Sequence, residues 1–322
     1  MIDRLYFYFM ARGILYIILS GISFFVVNFF VKMLGNPDNS LIAGLQKYPA
    51  HELVFFRSVV SFSISAAIIR YRKLPLLGNN RRWLLLRGTA GMCALILFFF
   101  TLHKLPLAIA STLQYLSPIF TVLIASRLFG ETVTRIQYLS SIIAFAGVAF
   151  IGLNGLTGGF ENNKLDPFWM CMGVVSAVLS GVAYNAISKL KETEAPINIV
   201  IYFPMLALPI TGAWCLFDFT FPHGIEWGIL LIIGVFTQVA QVLMTRAFMA
   251  ANTAIVAPFQ YIGAIYALLS GWFVFDEKLE LASLLGVCMV VSGVILGTIF
   301  RSKKALNEPE KALPEAPSEI VS

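Results

Sequence analysis

The sequence predicts an all-α integral membrane protein: ten transmembrane helices arranged as two five-helix inverted repeats. Three observations carry that expectation. Hydrophobic residues make up 58% of the 322 residues and charged residues 12%, with a mean hydropathy of +0.82, more apolar surface than a soluble fold can hide. The apolar residues fall into ten runs, each about long enough to cross the ~30 Å hydrocarbon core. Finally, residues 88–148 overlay residues 234–294 without a gap when shifted by 146 positions. Gln114-Tyr115 then falls on Gln260-Tyr261, Phe129 on Phe275, Glu131 on Glu277 and Gly147-Val148 on Gly293-Val294. Apolar matches recur by chance in such a composition; a Gln-Tyr pair and a Glu at one constant offset do so far less readily.

The predicted spans run over 13–34, 51–69, 83–102, 108–127, 135–153, 167–189, 197–217, 227–249, 252–274 and 280–300. Basic residues punctuate them and set their direction. One side collects Arg4 and Arg12 before span one, then Arg70, Arg72, Lys73, Arg81 and Arg82 between spans two and three. Arg127 and Arg135 between spans four and five, Lys189 and Lys191 after span six, and Arg301, Lys303 and Lys304 after span ten complete it. The other side keeps Lys32, Lys47, Lys104, Lys164 and Lys278. The bias puts both termini in the cytoplasm of a multi-pass protein of a cell's inner membrane. The basic start followed by an apolar run has no convincing small-residue cleavage site, which favours an uncleaved first span over a signal peptide.

Five spans is an odd number, so the second half must enter the bilayer from the opposite side. The expected organisation is a first repeat over 1–154, an inverted second repeat over 155–301 and a disordered cytoplasmic tail over 302–322, rich in Pro, Glu, Ala and Lys. Halves related in this way alternately open a central site to each side. Ser20-Gly21 and Ser180-Gly181 give spans one and six a matching role at a different offset.

Polar groups inside hydrocarbon are costly unless paired or wetted, so the few in the spans hold most of the functional information. Gln114 and Gln260, each followed by a tyrosine (Tyr115, Tyr261), offer an amide and a phenol to a zwitterion's carboxylate or amine. The alternative is interhelical glue worth about 1 kcal/mol. Arg57 in span two either snorkels or pairs with Glu52, or attracts an anionic solute group through its guanidinium fork. Asn28, Tyr184, Asn185, Gln238 and Gln241 complete the candidate solute-binding set, the last two three residues apart on one helical face with Thr237 nearby. Ser117 and Pro118, with Pro258 in the second half, are candidate helix breaks, since proline brings no N–H to the carbonyl of Gln114. Arg87 and Arg246 read as positive-inside anchors near span ends. Glu131 and Glu277 read as boundary groups that cap or pair with a basic neighbour such as Arg135 or Lys278. The cysteines (Cys93, Cys171, Cys215, Cys288) read as small core residues.

Leu105-Pro106-Leu107-Ala108 leading into Leu116-Ser117-Pro118-Ile119-Phe120 and Leu128-Phe129-Gly130-Glu131, echoed from Ala254 to Phe275-Asp276-Glu277, resembles the drug/metabolite transporter superfamily, and within it the EamA branch. The resemblance covers about residues 13–300. It implies secondary transport of small organic solutes, amino acids and other metabolites among them, around a cavity lined by both halves. The chain departs from strict symmetry at Ala264, which stands opposite Pro118, its own proline being Pro258.

No paired acid and base, activated nucleophile or metal-ligand cluster lies in the spans, and no GxxxxGK[ST] loop is present, so neither an enzyme nor a self-powered pump is expected. No metal or cofactor is called for. The expected partners are a small-molecule solute and the lipid bilayer, with no nucleic acid; a homo-oligomer is compatible with the sequence. The favoured cargo is a small zwitterionic or anionic metabolite, an amino acid or related amine. A larger cofactor-like or nucleotide-derived solute is the second choice.

Overall fold

A computed structural model describes residues 2–35, 42, 44–104, 112–128, 133–154, 166–266 and 284–296, and among them every regular element is helical. In chain order these are α1 (Ile2–Gly35), α2 (Ala50–Tyr71), α3 (Arg81–Lys104), α4 (Ser117–Leu128) and α5 (Arg135–Asn154). They continue as α6 (Pro167–Leu190), α7 (Pro196–Cys215) and α8 (Glu226–Ala250). The next, α9, starts as a short helix over Thr253–Val256, tightens to a 3-10 turn over Ala257–Tyr261 and resumes over residues 262–266; α10 spans Leu284–Leu296.

Helices are what a bilayer permits, because each satisfies its own backbone groups where no water competes. Six of them, within α1, α2, α3, α6, α7 and α8, are long and apolar enough to cross a membrane. The apolar stretches Arg135–Phe150 of α5 and Leu284–Leu296 of α10 are shorter. Where both lie among the described residues, helix ends fall within about a turn of the expected apolar runs with two exceptions: α1 continues back through Arg12 and Arg4 to Ile2, and α4 starts only at Ser117, after a turn at Tyr115-Leu116, within the run expected from 108. Local chemistry explains the starts. Asp166 caps α6 by accepting from the Phe168 N–H at 2.9 Å, with Pro167 at its first position. Thr134 and Gln137 close a reciprocal capping box on α5.

Packing partners come in matched pairs. On one side α1 lies along α8, with the Ser20 hydroxyl donating to the Ala240 carbonyl at 2.8 Å. On the other α3 lies along α6, with the Ser176 hydroxyl donating to the Ala94 carbonyl at 2.7 Å. Ala94 and Ala240 are 146 apart. By this bond the counterpart of Ser20 is Ser176, one turn before the expected Ser180. The glycines keep the expected register: a methyl group on Gly21 would meet the Tyr266 ring at 3.2 Å, and one on Gly181 would meet Phe120 at 3.1 Å.

The crossing of α5 and α10 is the tightest matched pair. A methyl group on Gly147 would sit 2.6 Å from the Gly286 carbonyl oxygen and 2.8 Å from the Val290 nitrogen. One on Gly293 would sit 2.8 Å from the Ser140 carbonyl oxygen and 2.7 Å from the Ala144 nitrogen. Small residues here let the two backbones touch.

Two carboxylates tie the halves together at opposite ends of α2. Just before α2 begins, the Gln46 backbone and side-chain amides and the Tyr48 hydroxyl donate to Glu226, the first residue of α8, at 2.7–2.9 Å. Glu226 also accepts from the His223 N–H at 2.8 Å. Burial and that carboxylate push the Tyr48 phenol above its ordinary pKa, so it remains a donor. Beyond the far end of α2, Glu194 accepts from the Asn79 and Asn80 N–H groups. Tyr202 donates to the Leu77 carbonyl at 2.7 Å beside it. Tyr48 and Glu194 are 146 apart, as are Asn80 and Glu226. Gly78 and Gly224, at the same spacing, turn both loops with φ of +61° and +49°.

The cysteine expectation is corrected. Cys93, Cys171 and Cys288 are exposed on helix faces that no described neighbour covers, and Cys215 is half-buried. Glu131, Glu277, Phe129, Phe275, the 105–108 segment and the 302–322 tail lie outside the described residues.

Gly293→Leu should lower the melting temperature of the detergent-purified protein by a loss of about 1–3 kcal/mol from overpacking. Gly228→Ala, at a position with open space around it, should be neutral or slightly stabilising. Equal effects of the two would show that the α5–α10 crossing is not close-packed.

Candidate functional site

Two groups of polar side chains lie inside the helices. The first spans α2, α3 and α8. Arg57, Ser61 and Ser65 follow one another at four-residue steps, so they share one face of α2. Gln238 of α8 bridges the serines, accepting from Ser61 and donating to Ser65 at 2.8 Å. Gln241, one turn on, accepts from the Arg87 Nη2 of α3 at 3.2 Å. The two glutamines therefore reach different helices, and both clamp.

Arg87 corrects the sequence expectation. It is 3% exposed and bonds an amide inside the protein, so it does not serve as a surface anchor; Arg246 is exposed as expected. Gly91 makes room for Arg87: its missing side chain is the space the guanidinium fills, with Arg87 Cζ and Phe203 Cδ2 each 3.7 Å from the point where a β-carbon would sit. Arg57 is 8% exposed and lies with Cζ 5.4 Å from the centroid of the same Phe203 ring. Its expected partner Glu52 instead accepts from the Thr220 N–H at 3.0 Å. A membrane-depth arginine costs about 2.5–3.5 kcal/mol on insertion scales, and a desolvated cation–π contact returns about 2 kcal/mol at best. The remainder is not offset by any carboxylate among the described residues.

The second group spans α4, α6 and α9. The amide of Gln114 lies between two hydroxyls of α6, 3.0 Å from Ser176 and 3.1 Å from Ser180. The Asn185 amide donates to the Thr121 and Gly181 carbonyls, both at 2.9 Å. Gln260 differs from its counterpart: among the described residues its Nε2 is buried without a partner, as are the Tyr261 hydroxyl and the Asn185 Oδ1. Tyr115 and Tyr261 face each other with ring centroids 6.3 Å apart. Tyr184 links the two groups by stacking on Phe248 of α8 at 5.2 Å and 11°, within electrostatic reach of Arg87. Asn28 stands apart, exposed on α1.

Both helix breaks abut the Gln-Tyr pairs. In the first half the chain is helical over 112–114, turns at Tyr115-Leu116 and restarts at Ser117, with the Ile119 N–H bonded to the Leu116 carbonyl at 3.0 Å. Ser117 and Pro118 are buried at that restart. In the second half the 3-10 turn that begins at Ala257-Pro258 ends on Gln260-Tyr261. The breaks thus correspond although the prolines do not. Sequence reasoning missed Arg87, Phe203 and the two serines of α2. The four-residue steps from Arg57, and the 146-residue spacing of Arg57 and Phe203, were signals for three of them.

The sequence model of the EamA-like transporter family matches residues 11–153 and again residues 167–299. The chain belongs to the EamA-like transporter family. The transporter is 30% identical over 296 residues to a pseudopaline exporter of Pseudomonas aeruginosa, covering 92% of this chain and 98% of that protein. It is 27% identical over 282 residues to a riboflavin transporter of Rhizobium johnstonii, covering 87% and 88%. With an S-adenosylmethionine uptake transporter of Rickettsia felis it shares 20% over 295 residues, 91% and 97% of the two chains. A solved crystal structure has the same fold at a TM-score of 0.70 and 16% identity, over 89% of this chain and 98% of that one.

Gln114→Leu should lower thermal stability by about 1 kcal/mol, the scale of an interhelical hydrogen bond in a membrane. Gln260→Leu should leave stability unchanged or raise it, because it removes an unpaired donor. Thermal unfolding of both variants in detergent decides, and equal losses would mean that Gln260 is bonded after all.

Proposed function

We propose that the protein is a secondary transporter that moves a small polar metabolite by alternating access between two inverted five-span repeats. The observation that carries this is the pair of carboxylate ties. Loops one repeat apart grip each other at opposite ends of α2, so one end can release while the other holds, the geometry a rocking carrier requires. The matched contacts of α1 with α8 and of α3 with α6 support the same relation, as does the double match of the family model. In this reading α4, α5, α9 and α10 complete ten spans, both termini are cytoplasmic, and the protein resides in a cell's inner membrane.

The cargo is an amino acid or a related amine-bearing acid. Support comes from neutral amides, hydroxyls and phenols together with guanidinium groups in the interior, a set that suits a zwitterion or anion. Gln260 and Tyr261, with unspent hydrogen-bonding atoms, are its contacts in the second half. Gln114 and Asn185 hold the helices that present them. A second reading, a carrier of larger cofactor-like solutes, draws on the aromatic Tyr115–Tyr261 pair beside Gln260 and on relatives named for riboflavin and S-adenosylmethionine.

In proteoliposomes preloaded with unlabelled amino acids, the protein should accelerate uptake of a labelled amino acid at least tenfold over empty vesicles. Gln260→Leu should remove most of that flux at unchanged melting temperature. Absence of flux for amino acids and riboflavin alike, from folded protein, would count against a carrier. Topology is tested separately in a cysteine-free background. His223→Cys should react with an impermeant maleimide on intact cells and Lys73→Cys only after permeabilisation, and labelling of both from one side would rule out the inverted arrangement.

A further inference from the structure

Among the described residues two guanidinium groups are buried, and no described carboxylate reaches either one. Arg57 lies over the face of Phe203 and Arg87 bonds Gln241 through Nη2. The Nε of each has no hydrogen-bond partner among the described residues. The buried acids of the described residues make their hydrogen bonds elsewhere: Glu52 to the Thr220 amide through Oε2, its Oε1 meeting no partner among the described residues, Glu226 to Gln46, Tyr48 and His223, and Glu194 to Asn79 and Asn80. All three stand at helix ends or in loops, not among the polar groups of the interior.

Phe203 brings the two cations to one place. Its face receives Arg57 and its edge meets the space at Gly91 that Arg87 occupies. Fixed positive charge in a medium of low dielectric, with oriented N–H groups still free, is a receptor for oxyanions. The Nε–H, with a neighbouring Nη–H, is the edge that accepts a carboxylate in bidentate fashion. Around them Gln241, Gln238, Ser61 and Ser65 are uncharged, so no described residue neutralises the pair.

We propose that Arg57 and Arg87 form a two-point oxyanion site flanking Phe203, and that the solute is an organic anion carrying two carboxylates, one for each arginine. This rests on the carrier reading above and names the charge of its cargo. Arg87 is then a specificity-determining residue, held in place by Gln241 and admitted by Gly91. A monocarboxylate leaves one guanidinium unmatched, and a cationic amine is repelled by both.

The test uses the full-length protein in liposomes with labelled succinate, glutamate, alanine and putrescine, alongside thermal unfolding in detergent with and without succinate. Succinate and glutamate should move at least tenfold faster than alanine or putrescine, and succinate should raise the melting temperature. Arg57→Gln and Arg87→Gln should each lower dicarboxylate flux at least tenfold and abolish the succinate shift. Their melting temperatures without solute should equal or exceed the parent's, since a buried unmatched charge has been removed; a purely structural arginine would give a lower one. Gly91→Ala should reproduce the flux loss with both arginines present, because the added methyl group displaces the Arg87 guanidinium. The inference is overturned if alanine or putrescine moves as fast as succinate, or if Arg87→Gln and Gly91→Ala keep parental dicarboxylate flux. If no probe moves, the carrier reading fails; the succinate melting shift still decides the site, and its absence removes the inference too.

Discussion

Inside a bilayer a buried polar side chain has no water to return to, so its partner must be protein. In this chain one set of those partners lies across the two halves. Ser20 bonds Ala240, Ser176 bonds Ala94, Gln238 bonds Ser61 and Ser65, Asn185 bonds Thr121, Arg87 bonds Gln241, and Gln114 lies between Ser176 and Ser180. Each bond is individually modest, on the order of 0.6 kcal/mol in membrane settings. Together they tie the halves, while other buried hydroxyls, such as those of Ser140, Ser141 and Thr211, bond carbonyls of their own helix.

That cross-wiring explains why the polar interior falls into two groups. The α2–α3–α8 group takes its helices from both halves, and so does the α4–α6–α9 group. Tyr184 against Phe248 joins them. Rigid clamps such as Gln114 and Asn185 fix distances between helices, while unspent atoms on Gln260, Tyr261, Arg57 and Arg87 are left over. Gln114 is therefore spent as a clamp while Gln260 keeps a free donor, although residue type and repeat position are the same.

Much of the fold was legible because the bilayer permits few solutions: a run of about twenty apolar residues must be a helix, and basic flanks mark its ends. The repeat was legible from Gln-Tyr alone. What escaped depended on neighbours distant in the chain. Gln114 and Gln260 sit in the same local sequence, yet α6 offers serines at two successive turns and the matching face of α1 offers only Ser20, already bonded to Ala240. Arg87 looked like an anchor because it lies near a helix end; its burial is decided by α7 and α8, more than a hundred residues later. Gly91, one turn on, was the local sign, and a glycine in an apolar run has many other uses. Pro258 and Pro118 do not align, yet the helix breaks do, since a 3-10 turn and a two-residue turn relax the same stretch by different means.

The two carboxylate ties carry a consequence for the ancestry of such a chain. Both acids, Glu194 and Glu226, belong to the second half, and their first-half counterparts are Tyr48 and Asn80. Two copies of the first half, set head to tail, would bring Tyr48 to Asn80 with no anion between them. Two copies of the second would press Glu194 against Glu226, a like-charge contact that disfavours pairing. Unlike halves alone place one anion at each tie. The two segments have thus diverged into acid and donor, and the second half carries a charge barrier against its own copy that the first half lacks.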